Sequence, residues 1–176
     1  MTFKKTFLPA LILAAICLVS AAALGLTNFL TAEKIARVER EKYFASAAEV
    51  LPAGALLHEF SHDGIEGFVG RDKDGNVLGY AVKASAKGYG GDVHCVVGFD
   101  LEGKIVAVSV SAPDETPGLG NNVAKLSFTD QLIGFERPPV LGEDFDGVTS
   151  ATYSSLAVEK AVAEAFSALE KIMKGE

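Results

Sequence analysis

The chain has 176 residues, 49% hydrophobic and 22% charged, a composition that belongs to folded domains and excludes a disordered one. Its net charge of −7 is uneven: the first 32 residues hold only Lys4 and Lys5, so the remainder sets 14 of the 16 Lys and Arg against all 23 Asp and Glu, a net −9. An acidic remainder cannot supply the basic face that phosphate neutralisation needs, which excludes a nucleic-acid partner.

Phe7 to Ala32 contains no charged residue and includes LPALILAAICLVSAAALGLTNFL, enough to cross a lipid bilayer, which takes about 20 apolar residues. A cleavable signal peptide competes for the same segment, with Lys4 and Lys5 as its basic flank and Ala21-Ala22-Ala23 as a small-residue cleavage site. Signal h-regions run only about 7–15 residues. Here apolarity continues past the alanines to Leu30, so an uncleaved transmembrane anchor over 1–32 is the favoured reading. Lys4 and Lys5 set a single-pass orientation, with the N-terminus cytoplasmic and the remainder on the outer face. Cys17 falls in this span and Cys95 beyond it, so the two cannot meet within one chain, and neither a disulfide framework nor a Cys-based metal site follows.

AEKIARVEREKYFASAAEVL comes next, helix-forming in composition and apolar at Ile35, Val38, Tyr43, Ala47 and Val50. It predicts that the membrane helix continues as a helical stalk over 33–53, ended by Pro52 and Gly54. Residues 54–176 then read as one extracytoplasmic domain. GFVGRDKDGNVLGYAVKAS turns at Asp74-Gly75 and VHCVVGFDLEGKIVAVSVS at Glu102-Gly103, each flanked by alternating apolar and β-branched residues, which gives two hairpins and four antiparallel strands. The glycine-dense AKGYGGD joins the hairpins, and APDETPGLGNN follows the second. A short helical stretch, VAKLSFTDQLIG, leads to the turn ERPPV and a polar loop. After DGVTSATYSS comes LAVEKAVAEAFSALEKIMK, a helix with Leu156, Val162, Phe166 and Leu169 at helical spacing. The fold class is α+β: an N-terminal transmembrane helix followed by an antiparallel sheet packed with helices.

Three motifs carry candidate chemistry. HEFSH, from His58 to His62, is a literal H-E-x-x-H, which on a helix places two zinc ligands on one face with a Glu as base. It lies between Gly54 and Gly64, too short a space for the several helical turns that chemistry needs, so exposed loop or strand-edge polar residues are the favoured reading; the lone His94 reads the same way. GYGG at 88–91 and ETPGLG at 115–120 are either two hairpin-end turns or loops whose glycines let backbone approach a flat or phosphorylated ligand. Neither matches a P-loop or a dinucleotide fingerprint. In DGVTSATYSS, hydroxyls crowd the start of a helix. Ser154 or Ser155 acts there as an N-cap, or a hydroxyl holds a phosphate where backbone N–H groups and the helix dipole favour one.

Taken in order, GYGG, VVGFDLEGKIVAVSVSAPDETPGLG and DGVTSATYSS resemble the FMN-binding domain family over roughly residues 75–170. The likeness is greatest to the G subunit of the Rnf electron-transport complex, with the C subunit of the sodium-translocating NADH:quinone reductase as a longer relative. In that family the terminal pattern is Asp-x-x-Ser/Thr-Gly-Ala-Thr-x-Thr/Ser-Ser, and its central Thr carries FMN through a phosphoester bond made by a flavin transferase. The resemblance implies that Asp146 is the Asp, Thr149 the Ser/Thr, Ala151 the Ala and Thr152 the modified residue, with Tyr153 beside it. Ser150 stands where the family usually has Gly, and a positive φ at that position would cost Ser some strain. It further implies that the ETPGLG loop borders the isoalloxazine ring, with Glu115 and Thr116 as polar contacts, Leu119 as an apolar one, and Gly118 and Gly120 shaping the loop. Tyr89, with Gly90 and its neighbouring glycines, forms the facing loop.

The function so implied is that of an electron-transfer subunit carrying covalent FMN in a membrane ion-translocating ferredoxin:NAD oxidoreductase. Its partners are the other Rnf-type subunits, the flavin transferase during maturation, and the lipid bilayer. The flavin domain lies on the periplasmic or extracellular side of the cytoplasmic (inner) membrane. No residue acts as a catalytic nucleophile and no metal site is assigned. Three rivals stand beside this reading: a stand-alone anchored FMN protein for extracellular electron transfer, a zinc hydrolase using His58 and His62, and a structural subunit without a cofactor.

Overall fold

The computed structural model describes residues 3–62 and 64–174, which fall into two compact units, Met1–Lys42 and Tyr43–Glu176. The first unit is made by the greater part of helix α1 (Phe3–Val50). Its apolar side chains are exposed all round, Leu24 at 72% and Phe29 at 79%. By length and composition the helix is long and apolar enough to cross a membrane, and over its apolar stretch it presents no polar face. The Thr27 and Thr31 hydroxyls donate to the carbonyls of Ala23 and Thr27 at 2.9 and 2.8 Å, so these two hydroxyls are paired within the helix.

The second unit is built on an antiparallel sheet in the order β1 (Leu56–His62), β2 (Ile65–Arg71), β3 (Val77–Lys87), β4 (Asp92–Phe99) and β5 (Ile105–Ser111). The predicted hairpins at Asp74-Gly75 and Glu102-Gly103 are β2–β3 and β4–β5, with Gly75 at φ 88° and Gly103 at φ 86°. An Asp opens each turn and accepts from backbone N–H groups across it. Asp72 takes those of Asp74 and Asn76, and Asp100 those of Glu102 and Lys104, all at 2.8–3.0 Å. There are five strands rather than four. The additional one, β1, contains HEFSH and pairs with β2 from Leu56 opposite Arg71 to His62 opposite Ile65.

That placement removes the zinc-hydrolase reading. On a strand, residues four apart lie about 13 Å from one another, far beyond a shared ion with ligand bonds of about 2 Å. Among the described residues no group of three His, Cys, Asp or Glu could hold a metal. His94 on β4 meets Tyr43 edge-on, ring centroids 6.4 Å apart. Cys95 is wholly buried, and burial pushes its thiol up to about 12, so it serves as an apolar side chain.

The two faces of the sheet are covered differently. Helix α3 (Thr152–Lys174) lies on β3 and β4. Its buried stripe of Ala157, Val158, Ala161, Val162, Ala165, Phe166 and Leu169 meets Val82, Val93, Cys95, Val97 and Phe99, the alternate residues of those strands. Phe166 packs edge-on against Phe99 at 5.0 Å between centroids, and each such side chain removed from water stabilises by about 1.5–3 kcal/mol. On the opposite face, within the same unit, Ala47, Val50 and Leu51 at the end of α1 cover Phe68, Ala81 and Val96. Gly98 admits them, since a Cβ there would collide with the Val50 carbonyl.

The expected helix over 123–134 is three short pieces: a 3₁₀ turn at Gly120–Ala124, α2 (Leu126–Thr129) and a second 3₁₀ turn at Asp130–Leu132. Extended backbone at Lys125 (ψ 145°) and Ile133 (ψ 137°) interrupts it. Gly134 N–H then donates to Ile105 O at 2.8 Å, and Ile105 N–H to Phe135 O at 2.9 Å, which returns the chain along β5.

Candidate functional site

In an antiparallel meander β3 and β5 run the same way, so the segments leaving them, 88–91 and 112–120, emerge at one end of the sheet. The N-terminus of α3 packs there too. Tyr89, Glu115, Thr116, Leu119, Gly120 and residues 150–154 line a cleft of about 190 Å³ between these segments.

Glu115 joins the walls. It is 3% exposed. Its Oε1 accepts from the N–H groups of Tyr89 at 2.7 Å and Gly90 at 3.1 Å, and its Oε2 accepts from the Ser154 hydroxyl at 2.8 Å. Burial disfavours the charge, but the Ser154 hydroxyl and the N–H groups of Gly90, Tyr89 and Gly91 outweigh it and hold the carboxyl below its ordinary value. The glycines of both loops follow from this contact. A Cβ on Gly88 or on Gly120 would collide with a Glu115 oxygen, and one on Gly90 with the Asp114 carbonyl. Close approach, not positive φ, is what these positions require. Gly118 alone in the two loops has a positive φ, 78°. It turns the ETPGLG loop, its N–H donating to Asn121 Oδ1 and its carbonyl accepting from Asn122 Nδ2, both at 2.8 Å.

Helix α3 begins at Thr152, so Ser154 and Ser155 lie inside its first turn and neither is the N-cap. Ser154 serves Glu115. Ser155 Oγ donates to the Ala151 carbonyl and accepts from Val148 N–H, both at 3.0 Å, which fixes the approach to the helix. Ala151, at the cap, has no side-chain oxygen with which to accept from the first N–H groups of α3, and among the described residues no other side chain accepts from them. Ser150 has φ 63°, the one positive φ outside glycine among the described residues, so the strain foreseen for Ser at this position is present.

Of the residues expected from sequence, Tyr89, Glu115, Thr116, Leu119, Gly120, Ser150, Ala151, Thr152 and Tyr153 share this cleft. Thr149, Gly90 and Gly118 stand outside its lining. Glu115 has both oxygens committed to protein donors and is part of the wall. Thr152 and Tyr153 are exposed, and the Tyr153 ring lies 6.3 Å from that of Tyr89 on the other wall, tilted by 39°. Ser154 is the residue that sequence reasoning placed in a different role: its partner is 39 positions away, and nothing local to the motif announces it.

The cleft thus offers a free hydroxyl at Thr152, uncapped N–H groups at the positive end of a 23-residue helix, and two aromatic rings with Leu119 beside them. Phosphate suits the first two and a flat aromatic group the last, so these residues fit a flavin mononucleotide.

Comparison with known proteins agrees. Residues 88–167 match the model of the FMN-binding domain, and residues 1–50 that of the RnfG N-terminal region. The chain is 30% identical over 186 residues to the G subunit of the Na⁺-translocating ferredoxin:NAD⁺ oxidoreductase complex of Acetobacterium woodii, covering 91% of this chain and 89% of that one. It is 34% identical over 100 residues to the G subunit of the proton-translocating ferredoxin:NAD⁺ oxidoreductase complex of Clostridium ljungdahlii, a match spanning about half of each chain, 53% and 54%. Among solved structures, the C subunit of the Na⁺-translocating NADH-quinone reductase from Parabacteroides distasonis shares the fold with a TM-score of 0.53 at 20% identity, over 70% of this chain and 78% of that one.

Proposed function

Because the chain belongs to the family of G subunits of ion-translocating ferredoxin:NAD⁺ oxidoreductase (Rnf) complexes, we propose that it is a membrane-anchored electron-transfer subunit whose FMN is esterified to Thr152. The observation that carries the attachment is the setting of Thr152: an exposed hydroxyl on the first residue of α3, beside a cap residue that leaves the helix N–H groups unclaimed. FMN, when bound, accepts and donates the electrons.

The chain's own residues hold and orient it. The first turn of α3 receives the phosphate. Leu119 and Thr116 form one wall for the ring, and Tyr89 and Tyr153 close the mouth of the cleft. Glu115 and Ser154 keep the walls together. No side chain serves as nucleophile toward a substrate, and the neighbouring subunits of the complex supply and remove electrons. Attachment forms the bond from Thr152 Oγ1 to the phosphorus of FMN as a flavin transferase breaks the pyrophosphate bond of a flavin dinucleotide donor; the other nucleoside monophosphate leaves, and the hydroxyl proton is released.

The exposed apolar part of α1 supports an anchor over 1–32; the stalk expected over 33–53 is helical only to Val50, and from Tyr43 onward the chain belongs to the compact unit that carries the flavin site. Lys4 and Lys5 support a cytoplasmic N-terminus and a flavin domain on the outer face of the membrane. Peptide mass spectrometry of protein from the native host tests the attachment. The peptide containing Thr152 gains the mass of FMN less water, and Thr152→Ala loses it. An unmodified Thr152 contradicts the proposal.

A further inference from the structure

Glu115 has an environment that merely lining a ring does not call for. It is 3% exposed, every partner of its two oxygens can donate, and those partners come from both walls: Tyr89 and Gly90 on the loop after β3, Ser154 on α3. Gly88 and Gly120 lack the Cβ atoms that would collide with its oxygens. Five positions in three separate segments are thus shaped around one carboxylate. A carboxylic acid would turn its proton either toward a backbone N–H, breaking a buried hydrogen bond, or toward the Ser154 hydroxyl, which must then turn its own hydrogen elsewhere, whereas the ionised form accepts from all of these donors as they stand.

We propose that Glu115 is a positioning residue: as a buried carboxylate it clamps the 88–91 loop to the first turn of α3, and its fixed negative charge lowers the reduction potential of the group held at Thr152. Adding electrons to a flavin adds negative charge, and a permanent negative charge in the adjoining wall opposes that gain. The effect on potential rests on the reading of Thr152 as the attachment site; the clamp does not. Tyr89 and Tyr153 are the other titratable side chains lining the cleft. Asp114, packed beside Gly91, is the neighbouring carboxyl that a titration must be told apart from.

The full chain contains four tyrosines, so ¹⁵N-tyrosine labelling in detergent micelles gives four backbone signals, with that of Tyr89 assigned by its loss in Tyr89→Phe. As pH falls through the acid range the Tyr89 signal should move in the wild type and in Asp114→Asn and stay still in Glu115→Gln. A Tyr89 signal that is flat in the wild type, or that moves equally in Glu115→Gln, overturns the clamp. Gln is isosteric and can keep one oxygen on the two N–H groups while its amide donates to Ser154, so the fold is preserved. Should it nevertheless misfold, Ser154→Ala decides. That variant keeps the charge but removes a donor to it, so the titration of the Tyr89 signal should shift to higher pH, and an unchanged curve overturns the clamp. On flavin-loaded protein, spectroelectrochemistry should give a higher potential for Glu115→Gln than for the wild type; equal potentials overturn the electrostatic part. A chain without flavin on Thr152 sinks the attachment reading, while the Tyr89 titration still judges the clamp.

Discussion

The first turn of α3 and the turns that follow it bury opposite kinds of side chain. From Ala157 to Leu169 the helix buries an apolar stripe against β3 and β4, and its stability there comes from area removed from water. In Thr152–Ser155 it buries two hydroxyls, Ser154 at 1% exposure and Ser155 at 0%. Those hydroxyls are tolerated only because Glu115, the Ala151 carbonyl and Val148 N–H receive or supply their hydrogen bonds. One part of the helix needs only shape and apolarity from its partners; the other needs particular atoms at particular distances. The proposed flavin site lies where the requirement is strictest.

Substitutions can separate the two parts. Phe166→Ala, which empties a site beside Phe99 in the stripe, should cost about 3–5 kcal/mol in denaturant unfolding of the chain in detergent and leave the attachment of FMN to folded protein intact. Glu115→Ala should cost less, about 2–3 kcal/mol, since it leaves buried N–H and hydroxyl groups without an acceptor; unlike the first, it should disorder the cleft and reduce FMN loading. Ser154→Ala, losing one hydrogen bond to a charged group, should cost roughly 1.5–3 kcal/mol at most. Ser150→Gly should act in the reverse direction, stabilising by about 1 kcal/mol by relieving the positive φ of 63°, and should raise the extent of flavin loading in the same assay. If Phe166→Ala abolished loading while Glu115→Ala spared it, the division drawn here would fail.

Acid should weaken the first turn before the stripe. The Glu115 carboxyl is depressed below its unfolded value of 4.5 in spite of burial, by the Ser154 hydroxyl and three backbone N–H groups. A depressed acid contributes stability that is fully present above the unfolded value and is lost as pH falls below it toward the folded one. Thermal unfolding between neutral pH and about pH 3 should therefore show a loss that Glu115→Gln lacks, while Phe166→Ala retains it from a lower starting point.

The same contrast explains what could be read from the sequence. Val162, Phe166 and Leu169 of the expected α3 stripe and the turns at Asp74-Gly75 and Glu102-Gly103 obey local periodicity and turn chemistry and stand where the pattern put them, while Leu156 is only half-buried and outside the core. Strand β1 carried a comparable signal in Asp63-Gly64, with Gly64 at φ 77°, but HEFSH was read as exposed loop or strand-edge polar residues and not counted among the strands. The glycines at 88, 90 and 120 were visible as a cluster, yet their cause was not, because the atoms they make room for belong to Asp114 and Glu115. Ser154 looked like a cap since its acceptor lies 39 residues back. Thr152 is proposed from the motif, and the structure adds a feature the motif could not give, its place on the first residue of α3 next to Ala151, which has no side-chain oxygen to cap the helix.

The central claim is that this helix start holds FMN through Thr152, and the most direct measurement is peptide mass spectrometry of the chain isolated from its native membrane, beside Thr152→Ala made in the same host. The account predicts a gain equal to FMN less water on the wild-type peptide, localised to Thr152 and absent from the variant. A wild-type peptide of unmodified mass, or a flavin located on Thr149 or Ser150, would contradict it.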